Sequence, residues 1–205
     1  MSSFSKLDFL NHFVLSPAAQ YPTATQQPAK TLAGKANSLR HAGVLIGLVE
    51  RPNGLHVIFT RRADHLRHHP GEVSFPGGRY EHDDASLSDT AQREAREEIG
   101  VPIEDIDVIG QLPPLVTVSQ FCVTPIVAFI PCDYTPRIDP NEVAEVFEVP
   151  AQHIFHPSSL GSYTFTIRNQ AHQVFGMTYN HHLIWGVTAQ IIHALQQQLA
   201  LPEHR

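Results

Sequence analysis

The 205-residue sequence has only two cysteines, Cys122 and Cys132. Two cysteines are too few for a disulfide framework, and their spacing does not match a zinc finger. We therefore interpret both as small apolar side chains in or beside the core. The sequence also lacks an internal repeat and any run of about 18 apolar residues, so it predicts neither a repeat architecture nor a transmembrane helix.

Positive charge is scarce, because 14 lysines and arginines stand against 20 acidic residues and leave a net charge of −6. Such a chain has no general electrostatic field for attracting DNA, RNA or an anionic membrane. A phosphate-bearing ligand must therefore be held locally, with help from a metal ion. The start of the sequence has one lysine and no apolar stretch of signal-peptide length. We expect a cytoplasmic protein that binds neither nucleic acid nor membranes.

The length and the 42% hydrophobic content favour one globular core preceded by a short appended segment. Residues 1–38 are interpreted as an N-terminal helix and an extended strap, and residues 39–200 as the catalytic domain. The helix prediction rests on apolar residues at three-and-four spacing, namely Phe4, Leu7, Leu10, Phe13 and Val14. This helix would cover either the chain's own core or a partner subunit, so a homodimer is an open expectation.

Short β-rich runs and two helical patterns alternate through the rest of the sequence. The helices are expected over 86–99, with Ser86 as N-cap and Gly100 as the stop, and over 182–199. The predicted strands are 42–50, 55–60, 73–75, 108–112, 123–130, 143–149, 163–167 and 173–178, the first two joined by a tight turn at 51–54. This pattern indicates an α/β or α+β sandwich of helices over a mixed sheet.

Nine of the 20 carboxylates fall between Glu81 and Asp105. Three of them, Glu94, Glu97 and Glu98, share one face of the predicted helix, where their charges repel unless cations lie between them. A solvated acidic face is the alternative interpretation. The preceding Gly-Gly turn and the sharp helix end favour a metal site. Ligands that are all oxygen atoms select Mg²⁺ or Mn²⁺, which suggests attack of water on phosphorus.

Two segments of the sequence, GRYEHDD at 78–84 and REAREEIGV at 93–101, closely resemble the Nudix box. The sequence departs from the general Nudix box at two points. Asp84 stands where the general box has Glu, and eight residues instead of seven separate Asp84 from Arg93. Both departures are typical of the coenzyme A pyrophosphatase branch of that family. The upstream residues TRRA at 60–63, Arg67, Gly71 and FPGG at 75–78 also match this branch, and the similarity covers most of residues 40–195.

The resemblance implies a Nudix-type α/β/α sandwich with a mixed sheet and a loop-helix-loop catalytic motif. It implies that divalent Mg²⁺ or Mn²⁺ is held by the three helix glutamates and by the carbonyl of Gly78. Asp84 and Arg93 would orient the loop and the helix through a bidentate pair. For the general base, Glu98 is the first candidate and Glu142 the second. Phosphate groups of coenzyme A would be contacted by one or more of three arginines, Arg61, Arg62 and Arg67.

The activity implied is hydrolysis of the pyrophosphate of coenzyme A or its thioesters, giving 3′,5′-ADP and 4′-phosphopantetheine or its acylated form. Another nucleoside diphosphate derivative, such as NADH, ADP-ribose or a nucleotide sugar, is the nearest alternative substrate. A nucleotide-binding module without catalysis is a further alternative, although all three helix glutamates are present. A coenzyme-capped RNA end is disfavoured by the acidic net charge.

Two histidine-rich positions and two aromatic residues remain. A zinc site among His65, His68 and His69 is disfavoured, because adjacent histidines point to different sides of most backbones and no acidic pattern completes the set. The same argument disfavours a zinc site at the pair His181 and His182. Phe75 and Trp185 are interpreted as core residues.

Overall fold

The computed structural model describes residues 4–15, 39–167 and 170–199, so the expected strap at 16–37 lies outside the described residues. The helices are α1 Lys6–Leu15, α2 Leu87–Ile99, α3 Ala151–Ile154 and α4 Gly186–Leu199. The strands are β1 Arg40–Arg51, β2 Gly54–Arg62, β3 Val73–Ser74, β4 Gly77–Arg79, β5 Asp107–Gln111, β6 Leu115–Val116, β7 Phe121–Ile130, β8 Val143–Pro150, β9 Gly161–Ile167, β10 Gln170–Tyr179 and β11 His182–Trp185.

A mixed sheet of eight strands, counted over the described ranges, forms the centre of the fold. Its main path runs β3-β2-β1-β7-β5, with β1 antiparallel to β2 and parallel to β7. The predicted first hairpin is confirmed, since Arg51 pairs with Gly54 across the two-residue turn Pro52-Asn53. A separate three-stranded sheet has the order β11-β10-β9.

Helices cover both faces of the mixed sheet. On one face, Leu45 and Val49 of β1 pack with Ala91 and Ala95 of α2. On the other face, alternate residues of the same strands pack with α1 and α4, as expected for strands buried on both sides. The predicted α/β/α sandwich is confirmed. Helix α2 approaches β1 closely because Gly43 has no side chain, and a Cβ there would lie 2.4 Å from the Leu87 carbonyl oxygen.

The buried face of α1 differs from the prediction. Leu7 and Val14 are 66% and 64% exposed, so their assignment to the apolar face is wrong. The buried residues are Phe9 and Phe13, and the ring of Phe9 lies 5.7 Å from that of Phe155. The Leu55 N–H donates to the Phe4 carbonyl oxygen at 2.9 Å. Helix α1 therefore covers the core of its own chain.

The C-terminal helix is shorter than predicted. Residues 182–185 form strand β11, in which His182 and Ile184 are buried while Leu183 and Trp185 are exposed. This alternation fits a strand paired with β10 rather than the first turn of a helix. The core assignment of Trp185 is consequently wrong, because its exposed fraction is 46%, whereas Phe75 is buried as predicted.

Cys122 is half-buried and Cys132 is exposed, so the placement of Cys132 in or beside the core is wrong. Every helix in the described ranges is too short or too polar to cross a membrane.

Candidate active site

Helix α2 begins and ends at the residues that the sequence predicts. The Asp89 N–H donates to Ser86 Oγ at 3.2 Å, and Ser86 Oγ donates to Asp89 Oδ2 at 3.0 Å, which together cap the first turn. Gly100 ends the helix with φ 75°, a conformation that favours glycine. The caps fix the orientation of the helix that carries Glu94, Glu97 and Glu98.

The loop before α2 is fastened to the helix by Asp84 and Arg93. Arg93 Nε donates to Asp84 Oδ1 at 2.9 Å, and Arg93 Nη2 donates to Asp84 Oδ2 at 3.1 Å. Asp84 Oδ2 also accepts from the Glu81 N–H at 2.9 Å and from Thr90 Oγ1 at 2.8 Å. The hydrogen bonds from Arg93 hold the pKa of the Asp84 carboxyl well below its usual range, and Asp84 in turn raises the pKa of Arg93. The buried pair is therefore fully ionised.

Arg93 contacts two of the helix glutamates as well. Its Nη1 donates to Glu94 Oε1 at 2.9 Å and to Glu97 Oε2 at 3.1 Å, and its Nη2 donates to the Arg79 carbonyl oxygen at 3.1 Å. One guanidinium thus joins the loop, strand β4 and the acidic face of α2. Its fixed fork of donors suits this task in a way that a lysine ammonium does not.

Three carboxylates from two distant parts of the sequence form a compact group, which we call the carboxylate cluster. Glu94, Glu98 and Glu142 each offer one oxygen atom, and these atoms lie within 4.8 Å of one another. Glu142 is positioned by its backbone, since its carbonyl accepts from the Ala63 N–H at 2.9 Å. The same loop contacts the end of α2, where the Asp139 N–H donates to the Glu98 carbonyl at 3.2 Å. Sequence spacing carries no signal for this proximity.

Glu98 is the most buried member of the carboxylate cluster, with an exposed fraction of 4%. Burial raises the pKa of its carboxyl to about 8, and the charges of Glu94 and Glu142 add to the rise. The Gly77 N–H, which donates to Glu98 Oε2 at 3.2 Å, and the charge of Arg62 act in the opposite direction. Burial also raises the pKa of Glu94. The raised pKa values mean that ionising Glu94 and Glu98 together is unfavourable in the metal-free cluster.

The donor set of the cluster fits a hard divalent cation. The cluster offers carboxylate oxygens, which are the ligands that Mg²⁺ and Mn²⁺ prefer. A bound cation would relieve the repulsion between the three carboxylates. Gly78 lies directly against this group, because a Cβ built on it would be 2.3 Å from Glu94 Oε1. Glu97 lies outside the cluster, and its half-exposed carboxylate is bound by Arg93. Its role as a ligand, like that of the Gly78 carbonyl, stays a prediction.

The three predicted phosphate-binding arginines are not equivalent. Arg62 is half-buried at the end of β2 and lies close enough to lower the pKa of Glu98. Arg61 pairs with Asp64 at 2.7 Å and approaches Glu145 at 3.7 Å. Arg67 is exposed in the loop between β2 and β3, with neither an ion pair nor a side-chain hydrogen bond to the part of the chain that the structure describes. Of these three arginines, Arg62 is thus the one whose charge acts on the carboxylate cluster.

One expectation about the histidines is wrong. His181 and His182 do not diverge, since their ring centroids are 4.0 Å apart. Together with Glu145 they form a second group of ligand atoms, also within 4.8 Å of one another.

The chain is similar to known proteins of one family. The family model described as the NUDIX domain matches residues 39–169. The chain belongs to the Nudix family. The chain is also similar to the "Uncharacterized Nudix hydrolase NudL" of Photorhabdus laumondii subsp. laumondii, with 41% identity over 94% of this chain and 96% of that protein. For the protein of the same description from Enterobacter sp. (strain 638), the identity is 43% over 79% of this chain and 84% of the relative.

Solved structures of Nudix proteins match a smaller part of the chain. A Nudix hydrolase from M. smegmatis, RenU, is 21% identical, with a TM-score of 0.48 over 57% of this chain and 76% of that chain. Within the Nudix family, the present chain is a hydrolase of the pyrophosphohydrolase type, and such enzymes act on nucleoside diphosphate derivatives.

Proposed function

We propose that this Nudix hydrolase cleaves the pyrophosphate bond of coenzyme A or its thioesters, giving 3′,5′-ADP and 4′-phosphopantetheine or its acylated form. The observation that carries the proposal is the contact between the upstream signature, residues 60–78, and the carboxylate cluster. The Gly77 N–H donates to Glu98, and the positive charge of Arg62 acts on the same carboxylate.

Backbone hydrogen bonds also close the upstream segment on itself. The Arg62 N–H donates to the Glu72 carbonyl at 2.9 Å and the Gly71 N–H donates to the Arg62 carbonyl at 3.2 Å, so the arginine-bearing loop is closed at its base. Phe75, which follows this loop in the sequence, stacks on Phe59 of β2, with ring centroids 4.9 Å apart. Arg62 at the base of this loop therefore acts on the carboxylate cluster, which supports a ligand whose phosphates bind both metal and guanidinium.

In this proposal Glu94, Glu98 and Glu142 hold Mg²⁺ or Mn²⁺. The bound ions would supply charge neutralisation at the diphosphate and a lowered pKa for water. Arg93, which Asp84 holds in place, positions Glu94 and Glu97 directly, and Arg62 binds a phosphate oxygen of the diphosphate. Arg67, whose guanidinium makes no ion pair or hydrogen bond within the described residues, contacts the 3′-phosphate of the substrate. Glu98 is the first candidate for the group that accepts the proton from the attacking water, and Glu142 the second.

The test compares coenzyme A with 3′-dephospho-coenzyme A, ADP-ribose and NADH, each with Mg²⁺ or Mn²⁺ and with a chelator. We expect metal-dependent release of 3′,5′-ADP, fastest from coenzyme A, and its loss in Glu98→Gln. The exposed Glu104 provides the matched carboxylate control, since Glu104→Gln should leave the rate unchanged. The variant Arg67→Ala should raise KM for coenzyme A but not for the 3′-dephospho compound.

Preferential cleavage of another diphosphate would overturn coenzyme A as the proposed substrate. The assignment of pyrophosphohydrolase activity would still hold. Absence of cleavage from every substrate, with binding retained, would support a nucleotide-binding module instead.

A further inference from the structure

A group of potential ligands outside the carboxylate cluster is formed by Glu145, His181 and His182. Their ligand atoms lie within 4.8 Å of one another, and His182 Nε2 is 3.4 Å from Glu145 Oε1. Ligand atoms about 2.0–2.2 Å from a tetrahedral metal are separated by about 3.3–3.6 Å. The spacing of this pair therefore already matches that of two ligands on one ion.

The turn between β10 and β11 explains why two adjacent histidines converge. Tyr179 pairs with His182, which leaves Asn180 and His181 as the two turn residues. Asn180 has φ 52°, a left-handed conformation that turns the chain tightly and brings the ring of His181 beside that of His182. Adjacent side chains alternate from side to side in an extended strand, but they do not alternate within such a turn.

The ring of His182 is held in place before any ion binds. It is 4% exposed and stacks on Phe147, with ring centroids 3.7 Å apart and an interplanar angle of 6°. His181 is exposed, so the group remains accessible from solvent. A fixed inner ligand and an accessible outer one give an entry path and an open position for water.

Glu145 is oriented by a neighbour that acts on its second oxygen. Arg61 Nε lies 3.7 Å from Glu145 Oε2, while Oε1 faces His182. Orientation of a ligating carboxylate by an outer partner is usual at metal sites. The positive charge of Arg61 is balanced by Asp64, whose Oδ1 is 2.7 Å from Arg61 Nη1. The arginine therefore does not leave an excess of positive charge beside the group.

We propose that Glu145, His181 and His182 bind a borderline divalent transition metal such as Zn²⁺, at a site separate from the carboxylate cluster. Imidazole nitrogen suits Zn²⁺, Co²⁺ and Ni²⁺, whereas Mg²⁺ prefers oxygen ligands alone. The two groups therefore differ in the metals that they select. This inference does not rest on the substrate proposed above.

The test is a zinc titration of the full chain without a histidine tag, against a chromophoric chelator and in excess Mg²⁺ that competes for the carboxylate cluster. We expect one zinc ion per chain. His181→Ala and Glu145→Gln should each weaken zinc binding by about tenfold or more. Co²⁺ bound to the wild type should give visible absorption bands that disappear in His181→Ala.

His82→Ala is the matched control, because His82 Nδ1 lies 3.4 Å from Asp83 Oδ1 without belonging to a three-ligand group among the described residues. His82→Ala and Glu98→Gln should retain the zinc affinity of the wild type. Thermal unfolding in chelator checks that His181→Ala is folded. Wild-type affinity in His181→Ala would overturn the proposal, as would an equal loss in His82→Ala or a loss confined to Glu98→Gln.

Discussion

The guanidinium of Arg93 and the carboxylate of Asp84 form a two-point pair, with N···O distances of 2.9 and 3.1 Å. Both side chains are largely buried, with 17% and 5% exposed. Because Arg93 also binds Glu94 and Glu97, a change at this pair reaches the acidic face of α2 through a single side chain.

Replacing Arg93 with lysine should reduce both stability and catalysis. Lysine keeps the charge but cannot donate to Asp84, Glu94 and the Arg79 carbonyl together. We expect the free energy of unfolding to fall by about 1–3 kcal/mol in urea denaturation, together with a lower kcat. The control is Arg96→Lys, since Arg96 is exposed and pairs with Glu97 at 3.8 Å. Equal effects of the two substitutions would contradict the positioning role of Arg93.

The protonation of Glu98 predicts how the stability of the metal-free protein depends on pH. The folded pKa of about 8 exceeds the usual 4.5, so the folded state binds the proton more tightly and is stabilised by it at low pH. That stabilisation is lost as pH rises from about 4.5 through 8, where the carboxylate becomes charged. Glu98→Gln should therefore match the wild type near pH 5 in chelator and exceed its melting temperature by several degrees above pH 8.

The same experiment with Mn²⁺ supplies the check. At high pH Mn²⁺ should raise the melting temperature of the wild type far more than that of Glu98→Gln. A pH-independent difference between the two proteins in chelator would show that the Glu98 carboxyl does not titrate in this range.

The close approach of Gly78 to Glu94 predicts a specific loss in Gly78→Ala. The added Cβ would occupy space 2.3 Å from Glu94 Oε1 and displace that carboxylate. We expect weaker Mn²⁺ binding by calorimetry and a large loss of activity, with the far-ultraviolet circular dichroism unchanged. Gly176→Ala is the control, because a Cβ at Gly176 meets its nearest atoms at 3.6 Å. Wild-type Mn²⁺ affinity in Gly78→Ala would contradict the proposal that Glu94 is a metal ligand.

The roles of Glu142 and Glu98 should be distinguishable when the reaction rate is measured as a function of Mn²⁺ concentration. Glu142 is exposed at the rim of the carboxylate cluster, so Glu142→Gln should raise the Mn²⁺ concentration for half-maximal rate and largely recover kcat at saturation. Glu98→Gln should lose kcat at every Mn²⁺ concentration. The reverse result would make Glu142 the general base.

Helix α1 should contribute to stability through Phe9 rather than Leu7. Phe9→Ala removes a fully buried ring and should lower the free energy of unfolding by about 3–5 kcal/mol. Leu7→Ala changes a side chain that is 66% exposed, and its effect should be within about 0.5 kcal/mol. Urea denaturation measures both, and a large effect of Leu7→Ala alone would contradict the described orientation of α1.

Features that depend on local sequence were predictable. The cap at Ser86, the stop at Gly100 and the first hairpin each arise from interactions among residues close in the chain. The acidic face of α2 follows from helical periodicity, and the resemblance to the Nudix box located the loop before it. These elements have the residue types that their geometry demands, so few alternatives compete.

Features that depend on tertiary contacts were not predictable in the same way. Residues 182–185 read as the start of an amphipathic helix until their pairing with β10 is known. Glu142 reaches Glu98 only because the intervening loop folds back on the end of α2, where the Arg137 N–H donates to the Ile99 carbonyl at 3.0 Å. The exposure of Leu7 likewise depends on which neighbours α1 meets, since Phe9 and Phe13 belong to the buried core and the ring of Phe9 lies 6.1 Å from that of Phe129 in β7. Apolar spacing alone does not contain that information.

The parallel pairing of β1 with β7 also affects how the chain folds during its synthesis. Arg40 pairs with Phe121 and Val49 with Ile130, so one long edge of the central strand cannot be satisfied until β7 has been synthesised. During translation, the nascent chain presents an apolar strand with unpaired backbone donors and acceptors, which is a template for wrong pairing. Substitutions that slow the pairing of β7 with β1 during folding should therefore reduce the yield of soluble enzyme in cells. We expect this reduction even where the folded protein is stable.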